Sequence, residues 1–179
     1  MSKRLFIGCS IGLLLLPLNQ SNVILSDSKI VSNFSEKTSS TLDCQNEQVS
    51  IYSSNRNISL IGACKGVDIF GWNNTIQAQN LSAIEVFGGR NRVQAQNIKR
   101  IELFGSNNQI SSTSAHYIEI FGSSNQVKSQ IIQSIELFGA SNSVHYQKTA
   151  QPNKALHHEH FGTNNRIEKI KIVLNTLDK

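Results

Sequence analysis

The segment IEIFGSSNQV at 118–127 is nearly repeated as IELFGSNNQI at 101–110 and as IEVFGGRNRV at 84–93. Phe70, Phe87, Phe104, Phe121 and Phe138 stand 17 residues apart, and Phe161 resumes the series after 23. Tyr52, 18 residues before Phe70, opens it in degenerate form. A fixed period this short limits the fold more than composition does. A unit holding two short strands and a turn cannot bury its own apolar face, so the units must bury one another's.

Each unit reads apolar, acidic, apolar, Phe, Gly, then two small or polar residues and Asn, one variable residue, and Ile or Val. The glycines are Gly71, Gly88, Gly105, Gly122, Gly139 and Gly162, and three residues after each stands Asn74, Asn91, Asn108, Asn125, Asn142 or Asn165. Glycine permits a positive φ, and asparagine tolerates one while bonding nearby backbone, so G-x-x-N reads as a turn. Its flanks, such as VDIF and NTIQAQ, alternate with period 2 and are rich in β-branched residues, which reads as strand.

Stacking such units, strand on parallel strand at about 4.8 Å per rung, gives an all-β, single-chain parallel β-solenoid, or β-helix, with 17-residue rungs over residues 44–170. Three inward columns follow. One runs through Val67, Ile84, Ile101, Ile118 and Ile135, and a second through Ile69, Val86, Leu103, Ile120 and Leu137. The third is Ile76, Val93, Ile110, Val127, Val144 and Ile167. A short-stranded sandwich or propeller needs longer units and more turn punctuation. The turn asparagines are expected to stack as a ladder bonding rung to rung, a structural role favoured over ligand binding.

The ends read differently. Lys3 and Arg4 precede the apolar run LFIGCSIGLLLLPL, which is short for a bilayer span and suited to a secretory signal, so residues 1–26 are read as a signal peptide cleaved between Ser21 and Ser28. An uncleaved membrane anchor is the alternative. Lipidation of Cys9 is disfavoured because the longest apolar run follows that cysteine. Residues 27–43, rich in Ser and Thr, are read as a flexible leader and 171–179 as a C-terminal cap or tail. Residues 145–157 carry the six-residue excess of the last unit and are expected to protrude.

Export places Cys44 and Cys64 where a disulfide persists; 20 residues apart, close to one turn of the coil, they would staple adjacent rungs. Two unrelated buried thiols are the alternative. The chain's formal charge is +5, and removing Lys3 and Arg4 lowers it to +3, too scattered a surplus to argue for nucleic acid. The signal segment is the only part expected to meet a membrane.

The stretch DCQNEQVSIYSSNRNISLIGACKGVDIFGWNNTI resembles the bacterial domain-of-unknown-function family 3060. Its exported members carry paired cysteines followed by V-x-V-x-G-x-N-N-x-V repeats. The resemblance covers roughly residues 43–145. It implies export and a repetitive β fold, and supplies no activity and no catalytic residues. The aromatic residue before each glycine and the acid two earlier depart from the small or polar residues of that pattern. A weaker similarity is to curli-type amyloid repeats, which share the G-x-x-N spacing but are longer and frame it with glutamines.

Asp68, Glu85, Glu102, Glu119, Glu136 and Glu159 hold one place in six units. Lying between inward aliphatics in the first five, they should point outward in one vertical file. At rung spacing each neighbouring pair repels by about 0.9 kcal/mol in water. Screening by water and salt would make the file a solubilising surface; the functional alternative is a site for divalent cations, glycans or a basic protein surface. Strict alternation also sends Phe70, Phe87, Phe104, Phe121, Phe138 and Phe161 outward, whereas a corner at that residue would turn them in, and the sequence leaves both open.

His157, His158 and His160 cluster about Glu159, with His158 and His160 sharing a strand face, which suits a metal but also suits a wetter final rung. Stacked carboxylates about 5 Å apart approach the separation in retaining glycosidases, yet six equivalent acids distinguish no acid from a nucleophile. No phosphate loop, nucleophile elbow or H-E-x-x-H pattern occurs.

The reading is therefore an exported (periplasmic, extracellular or cell-surface), non-enzymatic protein without cofactor that presents a regular binding surface, with a self-assembling, amyloid-like surface element as the alternative. Crowding of the file predicts that mild acid or millimolar calcium raises the melting temperature at fixed ionic strength; indifference to calcium counts against a cation site.

Overall fold

The computed structural model describes residues 39–170 and, as backbone, the strands Asn22–Leu25 (β1) and Ser28–Val31 (β2). Residues 1–21, with the signal or anchor segment and Cys9, lie outside the described residues, as do 26–27, 32–38 and the tail 171–179.

The architecture is an all-β parallel solenoid of about seven turns, with no helix among the described residues. After β3 (Ser39–Asp43), β4 (Gln48–Ile51), β5 (Asn57–Ile61), β6 (Ala63–Cys64) and β7 (Gly66–Ile69) come three 12-residue strands. These are β8 (Thr75–Val86), β9 (Arg92–Leu103) and β10 (Gln109–Ile120). They are followed by β11 (Gln126–Ala140), β12 (Ser143–Thr149), β13 (His157–Thr163) and β14 (Arg166–Lys169). The pairing order is β1-β2-β4-β7-β8-β9-β10-β11-β12-β14, and β13 also lies on β11. Apart from the antiparallel β1–β2 pair, the pairing is parallel and in strict register, so that Ile84, Ile101, Ile118 and Ile135 succeed one another directly.

The three aliphatic columns expected from the sequence are inward, each member buried except Ile167, which is half-buried in the last turn. A fourth column, Cys64, Leu81, Ile98, Ala115 and Ile132, is equally buried and was not among those expected. Within β8 the inward residues Ile76, Leu81, Ile84 and Val86 are five, three and two apart, because the strand bends around the core between its straight pieces. A bend breaks period 2, and a period-2 reading loses the residue that lies between bends.

Cys64 stands at the foot of that column and is disulfide-bonded to Cys44 of the preceding turn, with Cα atoms 5.0 Å apart. Closing a loop of this length stabilises by about 3 kcal/mol in the chain-entropy account.

Two parts of the stretch read as a leader take part in pairing. Ser28–Val31 lies parallel on β4, and Ser39–Asp43 lies parallel on β5, so strands continue the coil below Cys44. Backbone pairing with a preformed edge outweighs the polar composition of SSTLD. The protruding segment is shorter than expected: 145–149 continue β12, and the excursion is confined to 150–156.

The turn glycines also play a different part from the one expected. Gly139 and Gly162 have the positive φ expected, at 112° and 106°, but Gly71, Gly88, Gly105 and Gly122 do not; the left-handed conformation common to all six turns falls two residues later, at Asn73, Arg90, Asn107, Ser124, Ser141 and Asn164, with φ between 56° and 59°. The glycines are needed for space. A Cβ on Gly105 would run into the backbone carbonyl of Gly88, and one on Gly122 into that of Gly105.

The same carbonyls are tied down from above. Asn91 Nδ2 donates to Gly71 O at 3.0 Å while Asn91 Oδ1 accepts from the Asn74 N–H at 2.9 Å, and Asn108, Asn125 and Asn142 repeat both bonds one rung on. Asn74, Asn91, Asn108, Asn125 and Asn142 are buried, so each supplies partners to backbone groups that water does not reach. Gly105→Ala is expected to cost about 3 kcal/mol, since the clash is with backbone. Ser124→Gly, at a left-handed position, should be neutral to stabilising by about 0.5 kcal/mol. Denaturant midpoints of the two variants check the opposite signs.

Candidate functional site

One side of the coil carries three parallel outward columns, formed by the strand ends that precede the glycine turns. The middle column is the carboxylates. Asp68, Glu85, Glu102, Glu119, Glu136 and Glu159 follow one another in register. They are half-buried, apart from the exposed Glu159 of the last turn.

Beside them run the aromatics. Tyr52, Phe70, Phe87, Phe104, Phe121, Phe138 and Phe161 stack in one unbroken ladder, with centroids 4.8 to 5.5 Å apart and planes within 9° of parallel. All seven point outward. Phe87 and Phe121 are 43% exposed, which settles the orientation that alternation alone left open. Because neighbours cover the ring faces, the column shows solvent a ridge of ring edges. Six offset stacks at about 0.5–1.5 kcal/mol each are comparable with the repulsion of the adjoining carboxylates, and they hold the same rungs together.

The third column lies two residues before each acid and is the one that varies: Ala83, Arg100, Tyr117, Ser134 and His157. It makes the six acids unequal. Arg100 Nη1 lies 2.8 Å from Glu102 Oε1 and 3.6 Å from Glu119 Oε1, so one guanidinium bridges two rungs. Asp68 accepts from Gln48 Nε2 at 2.8 Å. His157 Nε2 stands 4.0 Å from Glu159 Oε1. Among the described residues Glu85 and Glu136 have neither an ion pair nor a side-chain hydrogen bond.

Burial raises the Glu85 carboxyl above its ordinary value, and repulsion from Asp68 and Glu102 adds to the rise, against a smaller lowering by Arg100.

The 150–156 excursion lies along this side and borders an open cleft of about 450 Å³. Its lining includes Arg100, Tyr117, Glu119, Glu136, Lys154 and His157. Sequence reasoning passed over Arg100 and Tyr117. Their signal was variation at one outward position within an otherwise strict repeat.

His158 and His160 share a strand face, with ring centroids 6.1 Å apart, and continue the inward columns of Ile135 and Leu137, whereas His157 and Glu159 lie on the outer side of β13. Strand alternation divides them, and among the described residues no three His, Cys, Asp or Glu side chains come together to hold a metal.

The paired cysteines, the parallel register and the G-x-x-N turns are the features by which the chain can be compared with known families. Residues 51–100 match the family described as Protein of unknown function (DUF3060). The resemblance read from the residues is thereby shown over that stretch. The DUF3060 match takes in Phe70 and Phe87 with their turns and ends at Arg100, so it reaches the first residue of the cleft lining and none of the others. No curated protein and no solved structure matches the chain.

The sign of the Glu85 effect is fixed by linkage. Its carboxyl binds a proton more tightly in the folded chain than in the unfolded one, so ionised Glu85 destabilises at neutral pH, and the penalty fades as pH falls through the raised value toward 4.5. Glu85→Gln is expected to stabilise by about 0.5 kcal/mol at neutral pH, the scale of partly exposed charge pairs, with the gain gone below the ordinary carboxylate value. Equal stability of variant and wild type at neutral pH would contradict this origin.

Proposed function

We propose that the protein is an exported, non-enzymatic binding module that uses the acidic and aromatic side of its solenoid to hold a positively charged partner surface. The observation that carries the reading is the carboxylate file itself. Six acids in register repel one another, and no packing requirement of the core asks for them, because the inward columns are complete without their side chains. A cationic partner would relieve that repulsion, and the ridge of ring edges beside the file would add apolar contact area along the same line. The disulfide is consistent with an oxidising compartment.

A second reading has its own observation. Every residue of β13 is exposed, and no strand lies above it among the described residues, so the last turn offers a free parallel edge of the kind that recruits further strands. Under that reading the coil would continue from one molecule into the next. Concentration-dependent sedimentation and thioflavin fluorescence would mark it, whereas a monomer across the concentration range would exclude it.

Poly-L-lysine serves as the probe for the first reading. Wild-type protein is expected to bind it with an affinity that falls as salt rises. Glu85→Gln/Glu136→Gln, which removes the two acids without a protein partner, should weaken binding by about tenfold, equivalent to about 1.4 kcal/mol. Calorimetric titration showing no binding, or the same affinity in the double variant, would overturn it.

A further inference from the structure

We propose that the cleft beneath the 150–156 excursion is a saccharide site accommodating one or two sugar rings, sharing Glu119 and Glu136 with the carboxylate file but taking a neutral ligand. In a strict repeat any site would recur on every rung. This place does not recur, because the extra residues of the last long gap wall off one stretch of the face, and because the variable column puts Arg100, Tyr117, Ser134 and His157 there in succession.

Its chemistry is that of a polyhydroxylated ligand. Glu119 and Glu136 contribute acceptors from adjacent rungs, and Arg100 and Lys154 contribute donors, so the four formal charges balance. A balanced lining gives a charged ligand no net attraction, while neighbouring hydroxyls, each both donor and acceptor, suit paired donors and acceptors.

Tyr117 supplies the apolar platform. Its ring is 41% exposed, and no other ring stacks on it among the described residues, in contrast to the phenylalanines, whose faces cover one another. Ser134, the next residue in its column, is too short to lie across it, and Gln133 Nε2 steadies the phenol by donating to its oxygen at 3.2 Å. A tyrosine face beside carboxylates and amides can take the C–H side of a pyranose while its hydroxyls are bonded from the rim. The volume lies within the ordinary range for small-molecule sites.

Isotope-labelled protein titrated with glucose, N-acetylglucosamine and their β-1,4-linked dimers, followed by amide resonances, tests the assignment. At least one of these sugars should shift Tyr117, Ser134 and His157 together, with little dependence on salt. Tyr117→Ala should weaken that response about tenfold, in line with loss of a stacking contact of about 1.4 kcal/mol. Tyr117→Phe, which keeps the ring, should retain most of it. Lys65→Gln, at an exposed position outside the cleft lining, should leave it unchanged. Absence of any localised shift with all four sugars would overturn the proposal, as would wild-type affinity in Tyr117→Ala. Because the sugars are neutral and poly-L-lysine binding depends on salt, either reading can fail while the other stands.

Discussion

The backward reach of each turn asparagine is the interaction on which the rest of the structure depends. Its side-chain oxygen takes the N–H of the asparagine one rung below, and its amide holds the carbonyl of the glycine one rung below, so every turn is fixed by the turn that follows it. Buried backbone groups left without such partners would cost about 1–3 kcal/mol each. The glycine belongs to the same device, since a side chain there would push away the carbonyl that the asparagine holds. Once the turns are locked at this spacing, the strands between them have no freedom of register, and every column inside and outside the coil follows.

Strict register has costs as well as benefits. It aligns Ile on Ile in the core, where like side chains pack well, and it aligns Glu on Glu outside, where like charges repel. The aromatic ladder beside the file supplies stacking of similar magnitude, and Arg100, placed between two acids, relieves part of the repulsion locally. Glu85 and Glu136, which have no ion pair or side-chain hydrogen bond among the described residues, are where the face has most to gain from something bound.

Function in such an object is to be sought where the period fails. The repeat is strict from Phe70 to Phe138, breaks with the excursion at 150–156, and ends on β13, whose inward positions hold His158 and His160 in place of aliphatics. The excursion borders a cleft on the acidic side, and the last turn leaves a free edge among the described residues. These two irregular features, and the variable column that runs into the first of them, carry what distinguishes one rung from another.

Much of this was legible in the residues themselves. The spacing of Phe70 to Phe138 determined a stack of parallel rungs, because no isolated unit of that length can bury a face, and alternation within VDIF and IELF determined two of the inward columns, with the aliphatic two residues after each turn asparagine giving a third. The cysteine spacing of one turn determined the disulfide. Other features depended on the bends of the chain and on neighbours far away in sequence. The column of Leu81, Ile98, Ala115 and Ile132 lies between two bends, where period 2 no longer applies. The residue before each asparagine proved to be left-handed, and the glycine proved to be needed because a carbonyl from the rung below leaves no room for a Cβ. The pairing of the Ser- and Thr-rich strand β3, the outward stacking of the rings and the gathering of Tyr117 and Lys154 about one cleft were decided only in three dimensions. A repeat dictates what lies above and below a residue, whereas bends and excursions dictate what lies beside it.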